Sequence, residues 1–247
     1  MNIGIILQVR MDSKRLPCKA LEKIGSKEML VFLVDRLKTI NEVSEIIIAT
    51  SNHPIDDILE NVAKKLKLKI YRGSLNDVLN RFYKCALENN LDVIVRVTAD
   101  DPFKDPKVIK KAINIFIDNK FDYVSNTLIP SYPEGIDIEV FSFNALEKAN
   151  IQAKLESDRL HVTPYIWRNA NKFSLFNFID IKDNSNIRLT CDYAEDLIYL
   201  NEIYKYTMDD SFIYLDLIEI IDKNKIFNTK DTIRNEGYIK DKKDDNK

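Results

Sequence analysis

Apolar residues come in short runs in the first half of the chain, and helix-spaced segments separate them. Strands are predicted near Asn2–Leu7, Glu45–Thr50, Lys69–Tyr71 and Asp92–Val97, each too short and too uniformly apolar to be a surface helix. Between them, Met29–Leu37, Ile55–Leu66 and Val78–Leu87 place apolar residues at i, i+3 and i+4. Pro54 and Pro106 each stand where a helix would open, the second ahead of Val108–Ile117. Strands alternating with helices imply a parallel sheet covered by helices on both faces.

The second half is patterned differently. Asp122–Thr127 and Ile136–Phe141 alternate with period two, as half-exposed strands do, and Pro130, Pro133 and Gly135 mark turns between them. This region is expected to project polar side chains into a cleft. Amphipathic helices are predicted over Phe143–Asn150, Ser157–Arg168, Tyr193–Tyr204 and Ser211–Ile221. The end, from Lys240 on, has no apolar residue to bury and reads as a disordered tail.

Composition narrows the class. The 247 residues, 45% hydrophobic, suffice for one α/β domain with an appendage. With 37 basic and 39 acidic residues the net charge is -2, so there is no global footprint for nucleic acid and any anion site must be local. Cys18, Cys85 and Cys191 are too scattered for a metal knot, which favours reduced thiols and a cytoplasmic location. No apolar run approaches membrane-spanning length.

Candidate chemistry gathers at strand ends. The loop Gln8-Val9-Arg10-Met11-Asp12-Ser13-Lys14-Arg15-Leu16-Pro17-Cys18-Lys19 puts four cations and a hydroxyl just past the first strand, where open α/β sheets bind ligands. Arg presents a fork of donors to phosphate oxygens and Lys a mobile point charge; a solvated basic loop is the plain alternative. Arg96-Val97-Thr98-Ala99-Asp100-Asp101-Pro102 ends another apolar strand. Asp100 is taken as the inward carboxylate, suited to a hard divalent cation, and Asp101 as the start of a turn. Asp192 is open between metal ligand and helix cap, with Glu195 completing a capping box in the second case.

These pieces, in this order, resemble the cytidylyltransferase family of CMP-sialate and CMP-Kdo synthetases, and more closely its branch of spore-coat polysaccharide proteins of the SpsF type. The likeness covers about residues 1–205. It rests on Gln8 to Lys19, Ile48-Ala49-Thr50-Ser51, Arg72-Gly73-Ser74 with Asp77-Val78-Leu79, Arg96 to Pro102 with Asp105-Pro106, Tyr123 to Thr127, Tyr132 to Glu139, and His161-Val162-Thr163-Pro164-Tyr165. It implies a Rossmann-like, doubly wound, mostly parallel sheet with a small hairpin and helical extension for substrate binding or dimerisation. One domain would span 1–235, its nucleotide part about 1–120 and its acceptor part about 121–235, with 236–247 a disordered tail.

The resemblance also implies roles. Arg10, Ser13, Arg15 and Lys19 would hold the triphosphate of CTP, with Arg10, Arg15, Lys19 and Asp100 as the catalytic set. Leu7 and Gln8 would lie by the nucleoside, and Arg72, Ser74 and Asp77 near the base. Magnesium would sit on Asp100 and Asp192. Asn126, Asp137, Glu139, Arg159 and His161 would face a sugar acceptor, and a homodimer could form through the segment 126–141. The pattern departs from the family at Cys18 and Ala99, where glycine is usual, and at Glu28, where proline is common. A sugar phosphate or polyol phosphate as acceptor, a glycosyltransferase, and a silent nucleotide-binding module are the alternatives.

Overall fold

The computed structural model describes residues 1–229 and 233–245. Its first half builds the expected alternation: β1 (Ile3–Gln8), a hairpin of β2 (Lys23–Ile24) and β3 (Lys27–Glu28), α1 (Met29–Leu37), β4 (Glu45–Ser51), α2 (Ile58–Leu66), β5 (Lys69–Gly73), α3 (Val78–Glu88), β6 (Val93–Thr98) and α4 (Pro106–Asn119). The second half gives β7 (Tyr123–Ser125), β8 (Glu139–Ser142), α5 (Phe143–Gln152), α6 (Glu156–His161), α7 (Pro164–Arg168), β9 (Leu175–Asn177), α8 (Ala194–Tyr204), α9 (Tyr214–Asn224) and α10 (Glu236–Asp244).

Seven strands form one sheet in the order β5-β4-β1-β6-β8-β7-β9. All neighbours pair parallel except those of β8, which runs against both β6 and β7. Strand alternation divides the core between the two faces. Ile3, Ile5 and Leu7 of β1 and Val93, Val95 and Val97 of β6 join the larger cluster, with residues of α1, α2, α4, α8 and α9. Ile6 and Ile94 join the smaller one, under α3, α5 and α7. Gly4 belongs to that second face, where a Cβ would meet the Leu91 side chain at 2.6 Å. Among the described residues no helix is long and apolar enough to cross a membrane.

Several expectations change. β7 and β8 are buried on both faces rather than half-exposed, because the sheet continues through them to β9 and helices cover both sides. The segment 126–141 is likewise mostly inside the fold, with Ile129 exposed at its tip. The helix predicted over Ser157–Arg168 breaks into α6 and α7 at Val162, whose φ of 74° no helix tolerates. Residues 236–245, expected within a disordered tail, are ordered: α10 packs the Tyr238 ring edgewise on Trp167 and His161. Residues 246 and 247 lie outside the described residues.

Candidate active site

The cationic loop is held from below. The buried Asp56 carboxylate accepts from Met11 N at 2.7 Å and from Ser51 N at 3.2 Å, tying the loop after β1 to the end of β4. Cys18 N donates back to Met11 O at 3.1 Å, closing the turn, and Cys18 takes up a left-handed conformation with φ 57°. That explains the glycine usual at this position. The conformation costs an L-residue about 1 kcal/mol.

This turn delivers Lys19 to the centre of the site. Its Nζ donates to Asp100 Oδ2 at 2.7 Å and Asp192 Oδ1 at 2.8 Å, bridging carboxylates from the end of β6 and the start of α8. Arg15 Nη2 reaches the same Asp192 oxygen at 2.6 Å and lies 5.2 Å over the Tyr193 ring. Burial alone would lower the Lys19 pKa, but Asp100 and Asp192 outweigh it and raise it well above the ordinary value. Burial likewise works against the Asp100 carboxylate, yet Lys19 holds its pKa far below the usual range. Asp100 therefore stays ionised. Asp101 begins a turn, its O accepting from Lys104 N at 3.3 Å, while its carboxylate accepts from Thr98 Oγ1 at 2.8 Å and pairs with Lys104 at 2.9 Å.

Asp192 is not the helix cap. Asp196, rather than Glu195, accepts from the backbone N of Asp192 and Tyr193, at 2.9 and 3.0 Å, and leaves both Asp192 oxygens for cations. One of those cations is Arg188, which also pairs with Glu134 and Asp196 at 2.7 and 3.2 Å. The segment carrying Arg188 can lie against residue 134 because Gly135, φ 99°, has no side chain; a Cβ would meet Leu189 C at 2.6 Å. Arg188 gives no sequence signal of this role, since a lone arginine in a loop is indistinguishable from a solvated one.

A cavity of about 440 Å³ opens over these groups. Arg15, Asp100, Asp137, Glu139, His161 and Asp192 line it. Glu139 leads β8 and accepts from Arg96 at 2.5 Å, Tyr123 Oη at 2.7 Å and Thr163 Oγ1 at 2.5 Å. Burial raises its pKa, but the Arg96 charge and these bonds leave it lowered overall. Asp137 pairs with Arg234, and burial nevertheless pushes its pKa up. His161 Nε2 meets Asp241 Oδ2 at 2.8 Å. Burial and then Arg96 hold its pKa below the ordinary value despite Asp241.

Other expected residues lie elsewhere. Asn126 is buried and spends its amide on Ile136 O and Ile138 N, so it braces the β7–β8 connection instead of facing an acceptor. Arg159 turns away from the cavity to Asp77, at 2.5 Å, and Asn150. Asp77 caps α3 through Asn80 N, and Ser74 Oγ accepts from Asp77 N at 3.0 Å. Arg72 is engaged by Asp57 and Glu60, both at 2.7 Å. The Leu7 side chain is in the core, leaving only its backbone at the strand end, and Gln8 Oε1 accepts from Arg96 at 3.2 Å. Ser13 Oγ accepts from Leu16 N at 3.4 Å. Arg10 is exposed and makes no hydrogen bond or ion pair among the described residues.

The family model for cytidylyltransferases matches residues 4–233, nearly the whole chain. The chain belongs to the cytidylyltransferase family. It is 35% identical over 212 residues to the spore coat polysaccharide biosynthesis protein SpsF of Bacillus subtilis, covering 83% of this chain and 87% of that one. A solved cytidylyltransferase from Leptospira borgpetersenii superposes with a TM-score of 0.90 at 35% identity, covering 94% of this chain and 99% of its own. CMP:2-keto-3-deoxy-manno-octonic acid synthetase, solved in complex with CTP, shares the fold at a TM-score of 0.64 and 14% identity, over 83% of this chain and 99% of its own. This cytidylyltransferase is thus a nucleotidyltransferase with a Rossmann-like, mostly parallel sheet.

Proposed function

We propose that this cytidylyltransferase transfers the cytidylyl group of CTP to a small sugar acid with release of pyrophosphate, in building a surface polysaccharide. The observation that carries the reading is the Lys19 ammonium seated between Asp100 and Asp192, two carboxylates that line the cavity. A cation so placed can turn from the carboxylates to the departing pyrophosphate, which gains charge as the acceptor oxygen attacks the α-phosphorus in line. Arg15 and the unpaired Arg10 would hold the remaining phosphate oxygens as bidentate partners. The acceptor part of the reading draws on the octonic acid named for the CTP-bound fold relative, and the pathway on SpsF.

Magnesium fits the residues present. Two carboxylates approach closely enough to share one ammonium, and hard oxygen ligands suit this ion. Asp100 and Asp192 would hold it, and when bound it would offset phosphate charge. Three free thiols, two of them buried, support a reducing cytoplasmic setting.

The test pairs each of the four nucleoside triphosphates with a panel of sugar acids and sugar phosphates, with magnesium, and reads pyrophosphate release and product mass. CTP with a sugar acid is expected to give a CMP-sugar. A CDP product would replace the acceptor class, and no pyrophosphate from any pairing would overturn nucleotidyl transfer.

A further inference from the structure

The family match ends at residue 233, and α10 begins at Glu236. We propose that α10 is the roof of the acceptor cavity and that Gly237 and Tyr238 decide which acceptors fit. The assignment rests on the nucleotidyl-transfer reading above.

Gly237 lines the cavity from within α10, and a Cβ built there meets no atom within 4 Å. Glycine weakens a helix relative to alanine, so it is retained for either crowding or an unusual backbone. Neither applies here, since its φ is not in the left-handed range. The space beside it opens into the cavity, where a ligand can use it. Tyr238 supplies the second observation. Its ring stands edge-on to His161 at 5.3 Å and to Trp167 at 5.6 Å, and both of those rings line the cavity. Its hydroxyl is buried under the influence of Arg168 and Asp158, which do not line the cavity, and has no hydrogen-bond partner among the described residues. The group Tyr238 offers the cavity is therefore its ring, a surface suited to the apolar face of a sugar.

Besides the Tyr238 ring contacts, three acids fasten the helix. Glu236 meets Arg15 at 3.4 Å and Tyr193 Oη at 3.2 Å, Asp241 meets His161, and Asp245 accepts from Ser157 N at 3.0 Å. Between these contacts, Gly237 and the Tyr238 ring line the cavity from α10.

The experiment measures pyrophosphate release by wild type, Gly237→Val and Tyr238→Leu. The acceptor is 2-keto-3-deoxy-manno-octonic acid or whichever panel member is most active with wild type. Gly237→Val should lower acceptor kcat/KM at least tenfold through KM, with the KM for CTP within twofold. Tyr238→Leu removes the ring and should raise acceptor KM about two- to tenfold, the range of one aromatic contact. Fluorescence of Trp167, the single tryptophan, should respond to the acceptor in wild type and less in Gly237→Val at equal concentration. Wild-type acceptor KM in both variants overturns the roof, as does equal loss toward CTP and acceptor, the mark of a purely structural helix. An absence of pyrophosphate release by wild type with every acceptor sinks the transferase reading first.

Discussion

Replacing Lys19 with methionine keeps most of the side-chain volume and removes the one cation paired with Asp100 among the described residues. Asp192 retains Arg15 and Arg188. The loss is therefore mainly one charge-assisted hydrogen bond, ordinarily about 1.5–3 kcal/mol, in a site where Lys19 is 13% and Asp100 29% exposed. Allowing for that solvent access, Lys19→Met should destabilise by about 2 kcal/mol, a fall of roughly 4–8 °C in Tm for a chain of this size. The pH dependence has a definite sign. Asp100 has a depressed folded pKa, so its contribution is present above the unfolded value near 4 and lost as pH falls. Lys19 has a raised one, so its contribution is complete below about 10.5 and lost only as pH climbs past that. The gap between wild type and Lys19→Met should be level between about pH 6 and 9 and narrow in acid. Calorimetry across pH measures it. Adding Asp100→Asn should recover part of the loss, because removing both partners leaves no uncompensated charge. A Tm within a degree of wild type, or a double variant weaker than the single, would refute the reasoning. In turnover, a loss on the order of a hundredfold is expected for Lys19→Met.

Cys18→Gly should raise stability by about 1 kcal/mol and Tm by roughly 2–4 °C in thermal melts, since the native φ is left-handed. Glu139→Gln breaks a buried junction of Arg96, Tyr123 and Thr163 and should cost about 3 kcal/mol by chemical denaturation. The Glu139 pKa is lowered, so its contribution exists above the unfolded value near 4 and disappears in acid, where the variant and wild type converge. His161, with a lowered pKa, binds its proton more readily unfolded, so stability should decline as pH drops through about 6.5; His161→Asn should flatten that limb, as melts between pH 5 and 8 would show.

The first half of the molecule was readable from sequence because its signals are local. Apolar runs of strand length specified β1, β4 and β6, and the cationic loop and Asp100 follow directly on β1 and β6, so position flagged both, while the family resemblance singled out Lys19 within the loop. The second half was harder. β7 and β8 look half-exposed by alternation, but their polar residues are buried donors and acceptors, Ser125 and Glu139 bonding inside the sheet. Asn126 and Arg159 carry the right chemistry and face the wrong way, because backbone partners near residue 137 and the α3 cap claim them. Arg188 is defined by contacts to residues 134 and 192 that only the folded chain supplies. α10 was missed because its lysines and aspartates outweigh Tyr238 in composition.

The bridge from Lys19 to Asp192 joins residues 173 positions apart. A contact so distant in sequence carries a high loop-closure cost, since the intervening chain must be ordered before it forms. The cationic loop is complete as a stretch of chain early in synthesis, but its partner Asp192 arrives only with the last quarter of the chain. On the function proposed above, CTP affinity would therefore report whether these two distant segments have met.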